Sequence, residues 1–295
     1  MLLGDLNVDG CKIRYCVDGA GRDTVVLVHG AGAHRQWWHL VVPPLAASYR
    51  VVTFDLSGHG DSGWRTAYGP RIYGREIHAV ASALGRGRVY LVGHSMGGRC
   101  AAVAAGLHPD AYAGLILLDS TFPSAPRLER PHPAALTVYP DEASARTNFK
   151  LMPRQPHPAP DVLGPVMAYS LRPTGDGGWT WKFDPASLGR FDDAYVEARL
   201  GDVRCPLTYA YGAKSVLPGQ ATAERIRAKH PGAAIIRIED GYHHLPLDSP
   251  SACVEVIRSA IDSRSSGSPP IQSHAGRPVE GSPPGGEGRR EESPH

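Results

Sequence analysis

The chain has 295 residues, 42% of them hydrophobic, and its 31 basic and 29 acidic residues leave a formal net charge of +2. The hydrophobic content suffices for a sizeable core, and the even charge excludes a basic tract for nucleic acid or an anionic membrane surface. We therefore expect a small-molecule partner, no nucleic acid and no membrane. The first ten residues, MLLGDLNVDG, lack the basic and long apolar parts of a secretion signal, which predicts a cytoplasmic protein.

The five cysteines are odd in number, widely spaced and form no CxxC pair: Cys11, Cys16, Cys100, Cys205 and Cys253. This pattern fits neither a disulfide framework nor a zinc site. We expect reduced cysteines that are mostly buried as small hydrophobic residues.

Seven short segments rich in β-branched residues predict strands, at 12–17, 24–29, 50–55, 88–93, 114–119, 206–212 and 234–239. Segments with helical spacing of apolar residues lie between them, at 37–48, 74–85, 97–109, 220–231 and 249–262. Apolar strands that alternate with helices predict the α/β class, with a mostly parallel central sheet and helices on both faces. The turn signals NVDG and VDGAG predict that the first two of these strands are antiparallel.

Two segments depart from this alternation. Residues 121–200 carry many prolines and aromatics and no clear buried strand, and an insertion this long is often a lid or a binding loop. A surface excursion without function is the alternative. Residues 264–295 are a mixture of Ser, Pro, Gly and charged residues, which predicts a disordered tail. The predicted core therefore comprises residues 1–120 and 201–263.

The segment YLVGHSMGGRCAAVAAG, residues 90–106, places Gly93-x-Ser95-x-Gly97 between a strand and an Ala-rich helix. The glycines allow strand and helix to approach closely at a sharp turn while Ser95 projects its hydroxyl. The N-terminus of the following helix favours negative charge that develops nearby. This context predicts a nucleophilic serine.

Four motifs follow one another in the chain: VLVHGAGAH (26–34), DLSGHGDSG (55–63), GHSMGG (93–98) and GYHHLPLDSP (241–250). With these motifs the chain, from about residue 6 to residue 261, resembles esterase-like serine hydrolases of the α/β-hydrolase fold. The resemblance implies that fold, with a helical lid inserted between two strands. It also implies that the backbone N–H groups of Ala31 and Met96 form an oxyanion hole. Such donors stabilise charge that develops on a carbonyl oxygen.

The aromatic pair Trp37 and Trp38 follows the HGAG loop at the start of the next predicted helix. We expect at least one of the two rings to pack on the loop. Contact with a substrate is the other interpretation of these residues, and we take both as candidate substrate-binding residues.

Serine needs a base to act as a nucleophile. The resemblance implies His243 as that base, because HHLPLDSP matches the family's histidine followed by an apolar triplet and a proline. His244 is the adjacent rival, and Tyr242 stands where the family usually has a glycine. His29 and His94 lie in Gly-rich turns and are interpreted as structural, while His34 stays unassigned.

The acid that orients the base departs from the usual family position. The family usually places it after the strand at 206–212, where this chain has Ser215 and no acidic residue from 203 to 223. Some members place the acid after the preceding strand instead, and that position is Asp119. A turn-capping role for Asp119 is the alternative. Three other acids are weaker candidates: Asp55, Asp240 and Asp248.

These features predict a serine hydrolase without metal or cofactor that cleaves an ester or related acyl bond of a small molecule through an acyl-enzyme. Because fold does not fix the reaction, two alternatives stay open. One is an acyltransferase or another enzyme of specialised metabolism. The other is a small-molecule binding protein that has lost catalysis, which the missing acid after residue 212 would favour.

Overall fold

The computed structural model describes residues 1–122, 135–189 and 191–263. The strands in these ranges are β1 (Leu2–Val8), β2 (Cys11–Asp18), β3 (Thr24–Val28), β4 (Arg50–Phe54), β5 (Val89–His94), β6 (Gly114–Leu118), β7 (Leu171–Pro173), β8 (Trp179–Trp181), β9 (Leu207–Gly212) and β10 (Ala234–Ile238). The α-helices are α1 (Val42–Ala46), α2 (Pro70–Leu84), α3 (Met96–Leu107), α4 (Glu142–Thr147), α5 (Pro160–Ser170), α6 (Asp193–Gly201), α7 (Gly219–Lys229), α8 (Leu245–Asp248) and α9 (Pro250–Asp262). Short 3₁₀ helices span Arg35–Trp38 and Pro185–Leu188.

Eight strands form one sheet in the order β1-β2-β4-β3-β5-β6-β9-β10. The pairs β1–β2 and β2–β4 are antiparallel, and the remaining neighbours in this sheet are parallel. The predicted α/β class with a mostly parallel sheet is confirmed. The carboxyl ends of β3, β5, β6 and β9 lie side by side, so the loops that follow these strands meet at one edge of the sheet.

The predicted pairing at the amino end is wrong in one respect. The NVDG turn joins β1 to β2, with Asp9 at φ 48° and Gly10 at φ 76°, as a two-residue hairpin turn requires. The segment that follows, β3, is instead a central parallel strand. All five of its residues are buried, and an apolar strand without alternation needs cover on both faces.

The core has two layers, one on each face of the sheet. Neighbouring residues of β3 point to opposite layers, since side chains alternate along a strand. Val26 belongs to the layer that contains Ile77 of α2, whereas Val25 belongs to the layer that contains Ile257 of α9. Helices therefore cover both faces, as the apolar strands predict.

The chain between β6 and β9 contains α4, α5, the two-stranded β7–β8 sheet and α6. A third apolar cluster joins part of this region to the core, with Trp37 packed among Phe149, Leu163 and Val166. Helix α6 packs against α3, where Arg99 pairs with Asp193. The division of the chain into core and lid stays a prediction, and the predicted tail lies outside the described residues. Within the described residues, no helix is both long and apolar enough to cross a membrane.

All five cysteines lie within the described residues, are buried and form no disulfide, as the sequence predicts. Burial raises the pKa of the Cys11 thiol, and burial with a hydrogen bond to Asp18 raises the pKa of Cys16 to about 11. Since the thiolate is the reactive form of cysteine, these thiols are poorly reactive near neutral pH.

We therefore expect the native protein to react very slowly with a disulfide reagent such as DTNB at pH 8. After unfolding in guanidinium chloride, all five cysteines should react within minutes. The absorbance of the released thiolate measures both rates. Rapid reaction of two or more thiols in the native protein would contradict the described burial.

Candidate active site

The turn after β5 has the geometry of a nucleophile elbow. Ser95 has φ 55° and ψ −121°, a strained conformation for a residue with a side chain, and α3 begins at the next residue. A Cβ atom at Gly97 would lie 2.2 Å from the carbonyl oxygen of His29, and one at Gly93 would lie 2.4 Å from Cα of Gly98. The two glycines of the motif are therefore needed where the elbow crosses β3 and folds onto its own helix.

The loop after β3 lies against this elbow. A Cβ atom at Gly30 would lie 3.2 Å from Cβ of Ser95, and the turn closes through a bond from the N–H of Ala33 to the carbonyl of Gly30. Ala31 is exposed within this turn. Met96 is the first residue of α3, so its N–H is among those without an intrahelical acceptor. This arrangement supports Ala31 and Met96 as the oxyanion donors, an assignment that stays a prediction.

Asp119 directly follows β6 and has φ 45°, in the left-handed region that Asp tolerates better than most residues. Its N–H donates to the carbonyl of Ala210 in β9, which fixes the backbone at the strand end. Its fully buried carboxylate accepts a hydrogen bond at Oδ2 from Nδ1 of His243, at 2.7 Å. The sequence predicts Asp119 as the acid, with a turn-capping role as the alternative, and the structure brings its carboxylate to the candidate base.

The geometry distinguishes the two adjacent histidines. His243 donates from Nδ1 to Asp119, which leaves its Nε2 unprotonated in the neutral ring. No carboxylate accepts a hydrogen bond from either ring nitrogen of His244 within the described residues. Burial, with a smaller effect of neighbouring His243, lowers the pKa of His244 to about 3, while the backbone of Pro153 opposes this shift. His244 is therefore a neutral ring without an acid partner.

His94 connects the elbow to the histidine loop. Its Nε2 donates to the backbone carbonyl of His243 at 2.7 Å. His94, which directly precedes Ser95, therefore holds the backbone of the candidate base. His29 donates from Nδ1 to the carbonyl of Gly30 and accepts the N–H of Leu56 at Nε2. Burial lowers the pKa of both rings, which keeps them neutral. Their positions agree with the structural role that the sequence indicates.

The other candidate acids lie elsewhere. The buried carboxylate of Asp55 accepts the backbone N–H and guanidinium of Arg35, and burial raises its pKa to about 6. Asp240 is exposed and pairs with Lys214. Burial raises the pKa of Asp248 as well. The carboxylate of Asp248 accepts a hydrogen bond from a glutamine side chain, and none of the three acids contacts His243 through a hydrogen bond.

The two candidate substrate-binding tryptophans occupy different places. Trp38 is completely buried in the layer of the core that contains α1 and α9, so it has no surface for a substrate and its assignment is not supported. Trp37 is also buried, with 5% of its surface exposed, but it lies at the junction of core and insertion. Its ring centroid is 6.1 Å from that of His244 and 5.2 Å from that of His34. His34 donates from Nε2 to the hydroxyl of Ser170 in α5. Trp37 alone stays a candidate contact.

One cluster of potential metal ligands occurs among the described residues, formed by His94, His243 and His244. Their ligand atoms lie within 4.8 Å of one another. Two of the rings already use a nitrogen in a hydrogen bond. The arrangement as it stands therefore suits acid–base chemistry better than metal binding.

A polar cluster that the sequence did not indicate joins the insertion to the core. The hydroxyl of Tyr169 lies 2.9 Å from Asp55 and 2.6 Å from Asp61, and Lys182 donates to Asp61 at 2.8 Å. The guanidinium of Arg35 stacks on the Tyr169 ring, 4.4 Å from its centroid. Because Arg35 directly follows the loop of Ala31, this cluster couples the insertion to that loop. No spacing in the sequence relates these residues, which are up to 147 positions apart.

Ser215 is the other contact that sequence reasoning missed. It stands where the family usually carries its acid, and its Oγ donates to Oδ2 of Asp119 at 2.6 Å. The absence of an acid at this position was visible in the sequence. The contact between the residue found there and the acid of the neighbouring strand was not.

Comparison with known proteins agrees with this geometry. Residues 23–153 match the family model for the alpha/beta hydrolase fold. The chain is 29% identical over 271 residues to esterase Rv0045c of Mycobacterium tuberculosis, an alignment that covers 83% of this chain and 85% of the relative.

Solved structures extend the match to nearly the whole described fold. A thioesterase domain from the curacin biosynthetic pathway superposes with a TM-score of 0.74 at 25% identity, over 88% of this chain and 99% of that one. An E-2-(acetamidomethylene)succinate hydrolase gives a TM-score of 0.75 at 20% identity, with the same coverage, and shows likeness of fold. The matching family model and the solved structures show that the chain has the α/β-hydrolase fold, and its similarity to the Mycobacterium tuberculosis esterase supports a hydrolase.

Proposed function

We propose that the protein is a serine hydrolase that cleaves an ester of a small molecule through an acyl-enzyme. Ser95 is the nucleophile, His243 the general base and Asp119 the acid that orients the base. The observation that carries this proposal is the buried 2.7 Å hydrogen bond between His243 and Asp119, on a loop that the residue before Ser95 contacts through its ring. An isolated serine in water has no such base.

The chemistry follows from the protonation state of His243. Because Nδ1 carries the hydrogen that Asp119 accepts, Nε2 is free to take the proton of the Ser95 hydroxyl as its oxygen attacks the acyl carbon. The carbonyl oxygen becomes an oxyanion, which the N–H groups of Ala31 and Met96 stabilise. One such donor typically lowers the barrier by about 3 kcal/mol.

Collapse of this intermediate breaks the bond to the leaving alkoxide, which receives the proton from His243 and departs as an alcohol. Water then donates a proton to His243 and attacks the acyl-enzyme. As the second intermediate collapses, His243 returns this proton to Oγ of Ser95 and the carboxylic acid leaves. Throughout both halves, Asp119 stays ionised and offsets the charge of the imidazolium. Ester, water, acid and alcohol therefore balance without an additional reactant.

The esterase activity of the Mycobacterium tuberculosis relative supports an ester as the substrate class. We propose that Trp37 contributes to the part of the site that binds the acyl group, since it packs beside His244 and within the apolar cluster with Phe149 and Leu163. We propose that the insertion between β6 and β9 acts as a lid over this part of the site. The hydrogen bonds of Tyr169 and Lys182 to Asp61 of the core support a defined closed position for the lid.

A non-catalytic binding protein is an alternative that one sequence feature, the missing acid after β9, favoured. Asp119 supplies an acid contact to His243 from the neighbouring strand, so that argument no longer holds. Acyl transfer uses the same first half-reaction and differs only in the acceptor. Analysis of the products in water, with and without an added alcohol, separates it from hydrolysis.

Replacing the nucleophile tests the mechanism. We expect Ser95→Ala to abolish labelling by a fluorophosphonate probe and to reduce hydrolysis of p-nitrophenyl acetate by at least about a thousandfold. Ser82→Ala, at an exposed serine of α2, is the matched control and should label and turn over like the unaltered protein. Full turnover by purified Ser95→Ala would exclude this serine as the nucleophile.

The adjacent histidines give a second test. His243→Asn should lower kcat/KM by about a thousandfold or more, because Asn provides no base, whereas His244→Asn should lower it only a few fold. Steady-state kinetics measures the difference, and thermal melting of both variants shows that the fold is retained. The reverse ranking, with both variants folded, would make His244 the base.

A further inference from the structure

Ser215 lies on the loop after β9, within hydrogen-bond distance of the acid that follows β6. Its Oγ is 2.6 Å from Oδ2 of Asp119, the same oxygen that accepts Nδ1–H of His243. This inference rests on the proposed function. We propose that Ser215 is a positioning residue that holds the carboxylate of Asp119 in place and weakens the interaction of Asp119 with protonated His243. The acid thus follows one strand, β6, and a residue that holds it follows the neighbouring strand, β9.

The direction of the Ser215 hydroxyl is set by its other contact. The N–H of Leu217 donates to Oγ of Ser215 at 3.2 Å, so this oxygen acts as an acceptor there. Its own hydrogen is then free to point at Asp119. The N–H of Ser215 in turn bonds the carbonyl of Gly212, which closes a turn directly after β9. The donor is therefore held by backbone rather than by a flexible side chain.

The carboxylate of Asp119 is held from two sides. The N–H of Gly212 donates to Oδ1 at 3.2 Å, while Ser215 and His243 both donate to Oδ2. Three donors fix the plane of the carboxylate and compensate a charge that has no accessible surface. Since Ser215 shares its acceptor with His243, it draws electron density from the oxygen that stabilises the imidazolium. Its removal should make the protonated form of the base more stable.

The other titratable groups around the pair come from several elements. His94 of β5 and His244 beside the base are buried, and burial lowers the pKa of each below its usual value. Burial raises the pKa of Tyr209 in β9 and of Asp248 in α8, and the charge of Asp119 adds to both shifts. None of these four makes a described hydrogen bond with Ser215. A change at Ser215 therefore acts first on the pair of Asp119 and His243.

Serine rather than a second acid at this position has a physical reason. A carboxylate at residue 215 would stand beside Asp119 in a buried site, and two such charges disfavour each other until one is protonated. A neutral donor at hydrogen-bond distance instead stabilises the single charge. The residue that departs from the family pattern thus fits the acid that replaces it.

The test uses the full chain and an isosteric pair of variants. Ser215→Thr keeps the hydroxyl, whereas Ser215→Val has nearly the same shape without it, and Val216→Ala is the control at the exposed neighbour. The pH profiles of kcat and kcat/KM are measured from pH 5 to 9 with p-nitrophenyl acetate. Because loss of the hydroxyl stabilises the protonated base, the acidic limb of the profile should move to higher pH.

We expect Ser215→Val to shift the acidic limb of kcat/KM upward by about 0.3–1 pH unit and to lower kcat about threefold to tenfold, with KM changed less than about twofold. Ser215→Thr should restore the limb and most of kcat. A limb in Ser215→Val that coincides with that of Val216→Ala would overturn the proposal. So would equal defects in the Thr and Val variants, since these would trace to shape. Ser95→Ala in parallel keeps the questions separate: if it stays active, the proposed function fails, whatever Ser215 does.

Discussion

The candidate site depends on one interaction, the buried hydrogen bond between Asp119 and His243. The two residues are 124 positions apart, and they meet because β6, β9 and β10 lie in order within one parallel sheet. Parallel strands end at the same edge, so the loop after β6 and the loop after β10 are neighbours there. A shift of either strand in register would separate acid from base.

The buried carboxylate of Asp119 needs further hydrogen-bond donors, because burial of a carboxylate costs several kcal/mol unless donors surround it. The N–H of Gly212 and the hydroxyl of Ser215 meet this need beside the histidine. His94 extends the network to the elbow through the carbonyl of His243. Nucleophile, base and acid thus belong to one set of contacts at the carboxyl edge of the sheet, and the loop of Ala31 is held there by Arg35 and Asp55.

Local patterns predicted much of this from the sequence. The apolar strands and their intervening helices were recognisable because each pattern lies within one segment, and Ser95 was recognisable because its glycines are neighbours in the chain. The pairing of β3 was predicted wrongly, since turn signals indicate where a chain reverses but not which strands then pair. Asp119 was predicted as the acid with a turn-capping role as the alternative. The contacts of Ser215 and Tyr169 were not foreseen, because each joins residues about a hundred positions apart. Trp38 was one of two candidate substrate contacts, yet its aromatic ring fills the core.

The most direct test of the central claim is the turnover of Asp119→Asn. The amide preserves the shape of the side chain, but it stabilises the wrong tautomer of His243 and does not offset the imidazolium charge. We predict that kcat falls by about 10³–10⁴-fold while the protein melts as a folded enzyme with Ser95 in place. Near-normal turnover by folded Asp119→Asn would contradict the account and leave Asp119 as a structural residue at the end of β6.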